Sequence, residues 1–169
     1  VTRGLQRVKR VGINFGAPGD RLASDGTFWL DYPSVGGHSP DVPIKVAGTD
    51  VEYTRLHSSL VAGGRPNWVF ASKVSGAQSV QITLAHSRQQ VAPEKYQVRL
   101  YLADSQQPTD GQVLVQGRKL PVDVRQDTEG GGLVITYHDV DIASDLSVTF
   151  RRPLSLCGIE LVHKSIVEP

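Results

Sequence analysis

The sequence predicts an all-β protein, a jelly-roll-like antiparallel β-sandwich, in which residues 1–169 form a single domain. Apolar and polar residues alternate with a period of two in Ser79–Leu84, Tyr96–Leu102 and Leu146–Phe150, as in strands with one buried face. Turn-forming glycines and aspartates separate these runs, and no segment sustains an apolar repeat of helical period. A chain of 169 residues with 39% hydrophobic content is large enough to bury one core.

Shorter apolar runs predict the remaining strands. We expect them at Val8–Phe15, Thr27–Asp31, Val51–Leu56, Trp68–Ser72, Gln112–Val115, Leu133–Tyr137 and Leu156–His163. The alternation directs five side chains into a shared core, namely Val98, Leu100, Val148, Phe150 and Ile159. Trp29, Trp68 and Cys157 also lie in apolar runs, so we interpret both indoles as packing residues and the single thiol as buried.

The segment Gly16–Pro43 has a different composition. It is rich in glycine, proline, serine and aspartate, yet it contains Phe28, Trp29 and Tyr32. An irregular stretch that retains aromatic residues is typical of a packed, structured loop. Loops on a rigid sandwich frequently carry binding residues, so we expect part of the functional site here.

The composition argues against two classes of partner. The chain has 18 Lys+Arg and 17 Asp+Glu residues, a formal net charge of +1, and we expect no nucleic-acid partner. It contains no run of about 18 apolar residues, so we expect no membrane partner. One cysteine, Cys157, excludes an internal disulfide.

The sequence carries no recognisable catalytic pattern, and we expect neither enzyme activity nor a cofactor. No Gly-x-Ser-x-Gly elbow or phosphate-binding loop is present, and Asp139 with Asp141 is interpreted as a strand end rather than a catalytic dyad. The histidines lack metal-ligand spacing; they are His38, His57, His86, His138 and His163. A structural calcium ion is one hypothesis, with oxygen ligands from Asp20, Asp25, Asp31 and Asp41, and solvated loop aspartates are its alternative.

Three segments of the second half match consecutive strands of one known family. Tyr96–Asp104 is similar to the pattern Y-x-V-R-L-x-F-A-E, Gly111–Arg118 stands in the place of F-D-V-x-I-N-G, and Pro153–Leu161 is similar to P-x-L-x-G-I-E-V. These segments resemble the malectin-like family of carbohydrate-binding β-sandwiches, which have a galactose-binding-like fold. The resemblance implies a lectin-like module.

The first half continues the resemblance in the same order. Gly12–Gly16 with Asp25–Trp29 is similar to the opening I-N-x-G and D-x-G-x-x-W, and Tyr53–His57 is similar to Y-x-T-x-R-Y. Asn14–Arg21 and Trp29–Pro33 resemble modules that follow β-propeller repeats in large bacterial proteins. The resemblance therefore implies a domain of a longer bacterial protein, extracytoplasmic (periplasmic or secreted), with a neighbouring β-propeller as a candidate partner.

The sequence departs from the family at several expected contact positions. His57 replaces a tyrosine, Ser105–Pro108 replaces an aromatic pair, and Arg151-Arg152 occupies the region of an acidic residue. A strand-like segment, Val80–Pro93, is additional. The resemblance thus carries over the fold but not the family's glucose-type specificity.

The sequence and the resemblance together predict a non-catalytic carbohydrate-binding module that recognises a saccharide through loops at one end of the sandwich. Tyr53, Arg55 and His57 alternate along one predicted strand and so share a face. Arg55, Arg151 and Arg152 also offer partners for an acidic sugar. The predicted binding residues are Tyr32, His38, Tyr53, Arg55, His57 and Asp104.

A second interpretation belongs to a different class. The chain would then be a structural or protein-interaction module that packs against a neighbouring domain and binds no sugar. The exposed surface distinguishes the two interpretations, because Tyr32 and Tyr53 accessible in a concave site favour a saccharide, and one flat exposed patch of apolar loop residues favours a neighbouring domain.

Overall fold

The computed structural model describes residues 7–34, 42–55, 67–85, 91–103, 108, 111–127 and 132–167. This part of the chain is built from strands with very little helix, which confirms the predicted all-β, sandwich-like fold. Its strands are β1 (Arg10–Phe15), β2 (Arg21–Leu22), β3 (Phe28–Tyr32), β4 (Ile44–Arg55), β5 (Ser72–Thr83), β6 (Glu94–Leu102), β7 (Val113–Val115), β8 (Asp123–Asp127), β9 (Gly132–Ile142) and β10 (Asp145–His163). Short 3₁₀ helices cover Asn67–Ala71 and Lys164–Ile166. None of the helices in these ranges has the length and apolar character needed to cross a membrane.

The strands form two layers that share β10. The larger layer has the order β2-β3-β1-β10-β6-β9-β8, and the smaller layer consists of β4, β5 and β7 together with β10. Neighbouring strands are antiparallel except for β1 and β3, which run parallel, so the predicted antiparallel arrangement needs this one correction. In the larger layer, Arg10 of β1 lies opposite Val162 of β10, and Asn14 lies opposite Gly158.

The strand β10 crosses from one layer to the other. Its first part pairs with β5 and β7, and the pairing with β5 continues past Phe150 to Leu156. Its last part pairs with β6 from Leu156 onward and with β1 from Gly158 onward. Register shifts between Thr149 and Leu156 mark the crossing. A strand that changes layers at such an irregularity closes the two layers over one core.

The main core lies between these layers. All five residues predicted to face it are buried in one cluster, which confirms that part of the sequence interpretation: Val98, Leu100, Val148, Phe150 and Ile159. The cluster also contains Ile13 and Phe15 of β1 and Val80 and Ile82 of β5, so both layers contribute to it. Period-two alternation therefore located the core correctly.

Other strand predictions were wrong in detail. The segment Trp68–Ser72 is not a strand, because Asn67–Ala71 forms a 3₁₀ helix that lays Val69 and Phe70 against the larger layer. The predicted strands Leu146–Phe150 and Leu156–His163 are two parts of β10, and β4 begins at Ile44 rather than Val51. The strands β2 and β8 were not predicted from the sequence.

A second, smaller core covers the outer face of the larger layer. It consists of Trp29, Val69, Phe70, Tyr101, Val134 and Cys157, all buried, which confirms the predictions for Trp29 and Cys157. Glycines make room for its large rings: a Cβ at Gly12 would lie 2.2 Å from the Trp29 ring, and one at Gly132 would lie 2.3 Å from Phe70. A Cβ at Gly158 would meet Val69 at 2.8 Å.

We expect Gly12→Ala to destabilise the protein. Its methyl group would overlap the Trp29 ring, and overpacking of this kind costs roughly 1–3 kcal/mol. The matched control is Gly19→Ala, because a Cβ at Gly19 meets no atom within 4 Å. Chemical denaturation measures both, and equal stability of the two variants would contradict the packing described here.

Candidate functional site

A cleft of about 360 Å³ opens beside the second core, a volume within the range of small-molecule sites. It lies where the loop after β1 meets the Asn67–Ala71 helix and the ends of β4 and β5. Its lining residues are Asn14, Ala17, Pro18, Gly19, Asp20, Arg21, Arg55, Trp68, Ala71 and Ser72. Only Arg55 among them belongs to the predicted binding set.

Two buried polar side chains line the inner part of the cleft. Asn14 is 5% exposed and Ser72 is 4% exposed, and the Ser72 hydroxyl donates to Asn14 Oδ1 at 3.1 Å. Since Oδ1 accepts this bond, the N–H groups of Asn14 form the donor side of the amide. The pair therefore supplies fixed hydrogen-bonding groups in the inner part of the cleft.

The loop from Gly16 to Arg21 forms one wall and is attached at both ends. Gly16 has a φ of +78°, and its N–H donates to the Tyr32 carbonyl at 2.7 Å. This glycine is required, because a side chain would be strained at that φ and would also approach the Thr54 carbonyl oxygen. Farther along, Asp20 Oδ1 accepts the N–H of Asp31 at 2.9 Å.

Trp68 and Arg21 form a stacked pair on the cleft wall. The Cζ atom of Arg21 lies 4.8 Å from the centroid of the Trp68 ring, a cation–π contact. Trp68 in turn contacts Trp29 edge-to-face, with centroids 5.4 Å apart. Trp68 was predicted to be a packing residue; it packs against the second core while remaining half-exposed in the cleft.

Arg55 ends β4 and reaches the same cleft from the smaller layer. Its Nε donates to the Gly16 carbonyl at 3.1 Å. The contact fixes the start of the loop wall and restrains the guanidinium near the opening. Tyr53 and Arg55 alternate along β4, in agreement with the expected spacing.

The other predicted binding residues lie elsewhere. Tyr32 and Tyr53 do not line the cleft; they are half-buried beside the main core, with ring centroids 6.2 Å apart. Burial, with a smaller contribution from Tyr32, raises the pKa of Tyr53 to about 12. His38, His57 and Asp104 lie outside the described residues.

Sequence reasoning missed Asn14, Asp20, Arg21, Trp68 and Ser72 as site residues. The segment Gly16–Pro43, in which part of the site was expected, contributes one wall of the cleft through Asp20 and Arg21. The contribution of Trp68 and Ser72 was hidden, because their segment was interpreted as a core strand.

The loop aspartates have protein partners. Asp25 Oδ1 accepts the N–H of Thr27 at 2.9 Å, and Asp25 Oδ2 lies 3.4 Å from Arg10. Asp41 lies outside the described ranges, and within those ranges no three His, Cys, Asp or Glu residues are grouped to hold a metal ion. The structural calcium ion stays a prediction.

A buried carboxylate, Glu160, lies on the same outer face as the second core. It is 2% exposed; Oε2 accepts from the Thr27 hydroxyl at 2.8 Å, and Oε1 lies 3.3 Å from Arg99 and 3.4 Å from the Tyr101 hydroxyl. Burial, and then the charge of Glu160, raises the pKa of Tyr101. Both carboxylate oxygens have protein partners, so this group stabilises the loop before β3.

Comparisons of the chain with protein-family models, with curated proteins and with solved structures gave no match. The malectin-like resemblance accordingly stays a prediction. The described residues define an all-β, sandwich-like protein that carries a cleft of small-molecule size.

We expect the protein to lose stability as pH rises from about 10 to 12. Unfolded tyrosine ionises near pH 10, whereas burial raises the pKa values of Tyr53 and Tyr137 to about 12 in the folded state. A raised folded pKa gives stabilisation that is complete below the unfolded pKa and lost as pH rises through the folded one. Melting curves across this window, with tyrosinate absorbance, measure the loss.

The control for this prediction is Tyr53→Phe, which keeps the packed ring and removes the ionisable hydroxyl. Its melting temperature should fall less steeply between pH 10 and 12 than that of the wild type. Identical slopes would show that Tyr53 ionisation does not contribute.

Proposed function

We propose that the protein is a non-catalytic carbohydrate-binding module and that its saccharide lies in the cleft. The observation that carries this proposal is the set of groups around the cavity. A cavity of about 360 Å³ is lined by an amide, a hydroxyl, a carboxylate, two guanidinium groups and one indole. Saccharide hydroxyls need such polar groups, placed in advance on a partly apolar wall.

The contacts within the cleft support this proposal, because they hold the polar groups before any ligand arrives. Hydrogen bonds fix three of these groups: Asn14 accepts from Ser72, Asp20 accepts from the Asp31 N–H, and Arg55 donates to the Gly16 carbonyl. Trp68 holds Arg21 by stacking. Side chains already fixed in place lose little conformational entropy on binding, which favours affinity.

The malectin-like resemblance supports the same class of function from the sequence. Arg55 links the two lines of reasoning, since it belongs both to the predicted binding set and to the observed cleft. We propose that the binding surface extends from the cleft along the end of β4 toward Tyr53. The resemblance also underlies our proposal that the module acts outside the cytoplasm of a bacterium.

A second candidate function rests on a separate observation. Leu22 is 67% exposed and Phe28 is 43% exposed, and the two are direct partners across β2 and β3. Paired apolar side chains at a sheet edge are typical of a surface that contacts another protein. This pair favours a structural module that packs against a neighbouring domain, such as a β-propeller of a longer chain.

The saccharide proposal predicts that Asn14→Asp weakens binding at least about tenfold, a change of roughly 1.4 kcal/mol. The substitution keeps the shape and the acceptor for Ser72 but removes the amide N–H donors. Gln81→Glu is the matched control, because Gln81 is an exposed β5 residue outside the cleft and the change adds the same charge.

The measurement is calorimetric or NMR titration with neutral and acidic oligosaccharides, and a single module should show dissociation constants on the order of 0.1–1 mM. No binding by the wild type to either class would favour the structural candidate. Equal binding by the wild type and Asn14→Asp would mean that the saccharide lies elsewhere.

The structural candidate makes its own prediction. When the protein is joined to its neighbouring domain, Phe28→Ser and Leu22→Ser should weaken the contact between the two domains, because each removes exposed apolar area. Val122→Ser is the control, since Val122 is 40% exposed at a different place on the chain. Protease sensitivity of the linker reports the contact, and three identical digestion rates would exclude this surface.

A further inference from the structure

Two arginines line the cleft without a carboxylate partner. Arg21 and Arg55 are both exposed, and neither forms an ion pair with any carboxylate among the described residues. Elsewhere in the same ranges, three arginines form ion pairs with carboxylates: Arg7 with Glu94, Arg10 with Asp25 and Arg99 with Glu160. The cleft therefore holds two cationic groups that form no ion pair with a described carboxylate.

The two guanidinium groups are also restrained. The Cζ atom of Arg21 lies over the Trp68 ring, and the N–H groups of this guanidinium have no hydrogen-bond partner among the described residues. Arg55 uses Nε to bind the Gly16 carbonyl, and its two terminal nitrogens have no hydrogen-bond partner within the described part of the chain. A planar fork held in place suits a bidentate contact with a carboxylate or sulfate group.

One acidic residue lines the same cleft and reduces its charge. Asp20 contributes a carboxylate, but its Oδ1 already accepts the Asp31 N–H. The lining thus has two positive charges and one negative charge, a net positive site. The amide of Asn14 and the hydroxyl of Ser72 complete the lining with neutral groups.

From these observations we propose that the cleft selects an anionic saccharide, whose carboxylate or sulfate ester pairs with Arg21 and Arg55. This inference rests on the proposed saccharide-binding function and specifies its ligand class. It places the acid-recognising cations in the cleft rather than at Arg151 and Arg152, the residues that the sequence had suggested beside Arg55. Neither Arg151 nor Arg152 lines the cleft.

The experiment compares saccharides that differ only in charge. Trigalacturonate is titrated against its methyl ester, and a sulfated disaccharide against the same disaccharide without sulfate. In at least one of these pairs, the anionic member should bind at least tenfold more tightly, and the preference should shrink as ionic strength rises. Intrinsic fluorescence should change on binding, because Trp68 contacts Arg21, and Trp68→Phe should remove that change.

Substitutions of single arginines test which side chains recognise the charge of the saccharide. Arg21→Gln and Arg55→Gln should each reduce the preference for the anionic member at least fivefold, and Arg21→Lys should restore only part of it because the planar fork is lost. Arg125→Gln is the matched control, since Arg125 is exposed on β8 and outside the cleft. Melting temperatures confirm that every variant is folded.

The outcomes separate this inference from the function on which it rests. Equal binding of charged and neutral saccharides would overturn the inference and leave the saccharide-binding proposal standing. No binding of any saccharide would overturn both. Loss of the preference in Arg151→Gln or Arg152→Gln, with Arg21→Gln unaffected, would also overturn the inference. Inorganic sulfate that binds as tightly as the sulfated disaccharide would show a simple anion site and overturn it too.

Discussion

The packing of Trp29 over Gly12 is the contact on which the outer face of the protein depends. Gly12 and Trp29 are direct partners in the parallel β1–β3 pair, and the absence of a side chain at Gly12 lets the indole lie flat on the sheet. Trp68 contacts Trp29 edge-to-face, and Arg21 forms a cation–π contact with Trp68. Gly12 therefore acts through Trp29 and Trp68 on the position of the Arg21 guanidinium in the cleft.

The outer face is covered in two chemically different ways. At one part, the Asn67–Ala71 helix supplies Val69 and Phe70, and the burial is apolar. At the other part, the buried Glu160 carboxylate accepts hydrogen bonds from Thr27 and Tyr101 and forms an ion pair with Arg99. A buried charge is tolerated only when it is paired. The loop before β3 is therefore held here by the bond between Thr27 and Glu160 rather than by burial of apolar surface.

Most of the fold could be predicted from the sequence because period-two alternation reports directly on burial. It located β6, both parts of β10 and the main core, including Val98, Leu100 and Phe150. It failed at Trp68–Ser72, because a continuous apolar run has no period that distinguishes a strand from a short helix. It also failed at Arg151–Ser155, which lies between two separately predicted strands, whereas β10 continues through it.

The candidate site was harder to predict, for a physical reason. Asn14, Arg21, Arg55, Trp68 and Ser72 come from separate segments, and only the three-dimensional arrangement of β1, β4 and β5 brings them together. Arg55 was identified because its own strand carries an alternating polar face. The role of Trp68 depends on a ring contact with Trp29, which no local pattern in a single sequence reveals.

The register between β1 and β10 also sets where the cleft lies relative to the first and last described strands. Arg10 lies opposite Val162, so the described chain enters and leaves at one pole of the fold. The cleft begins at Asn14 and continues beyond the far end of β1, which at the usual rise per residue is roughly 15 Å away. Arg10 and Val162 therefore lie at one end of β1 and the cleft at the other, so a bulky molecule in the cleft would lie away from these two neighbouring residues.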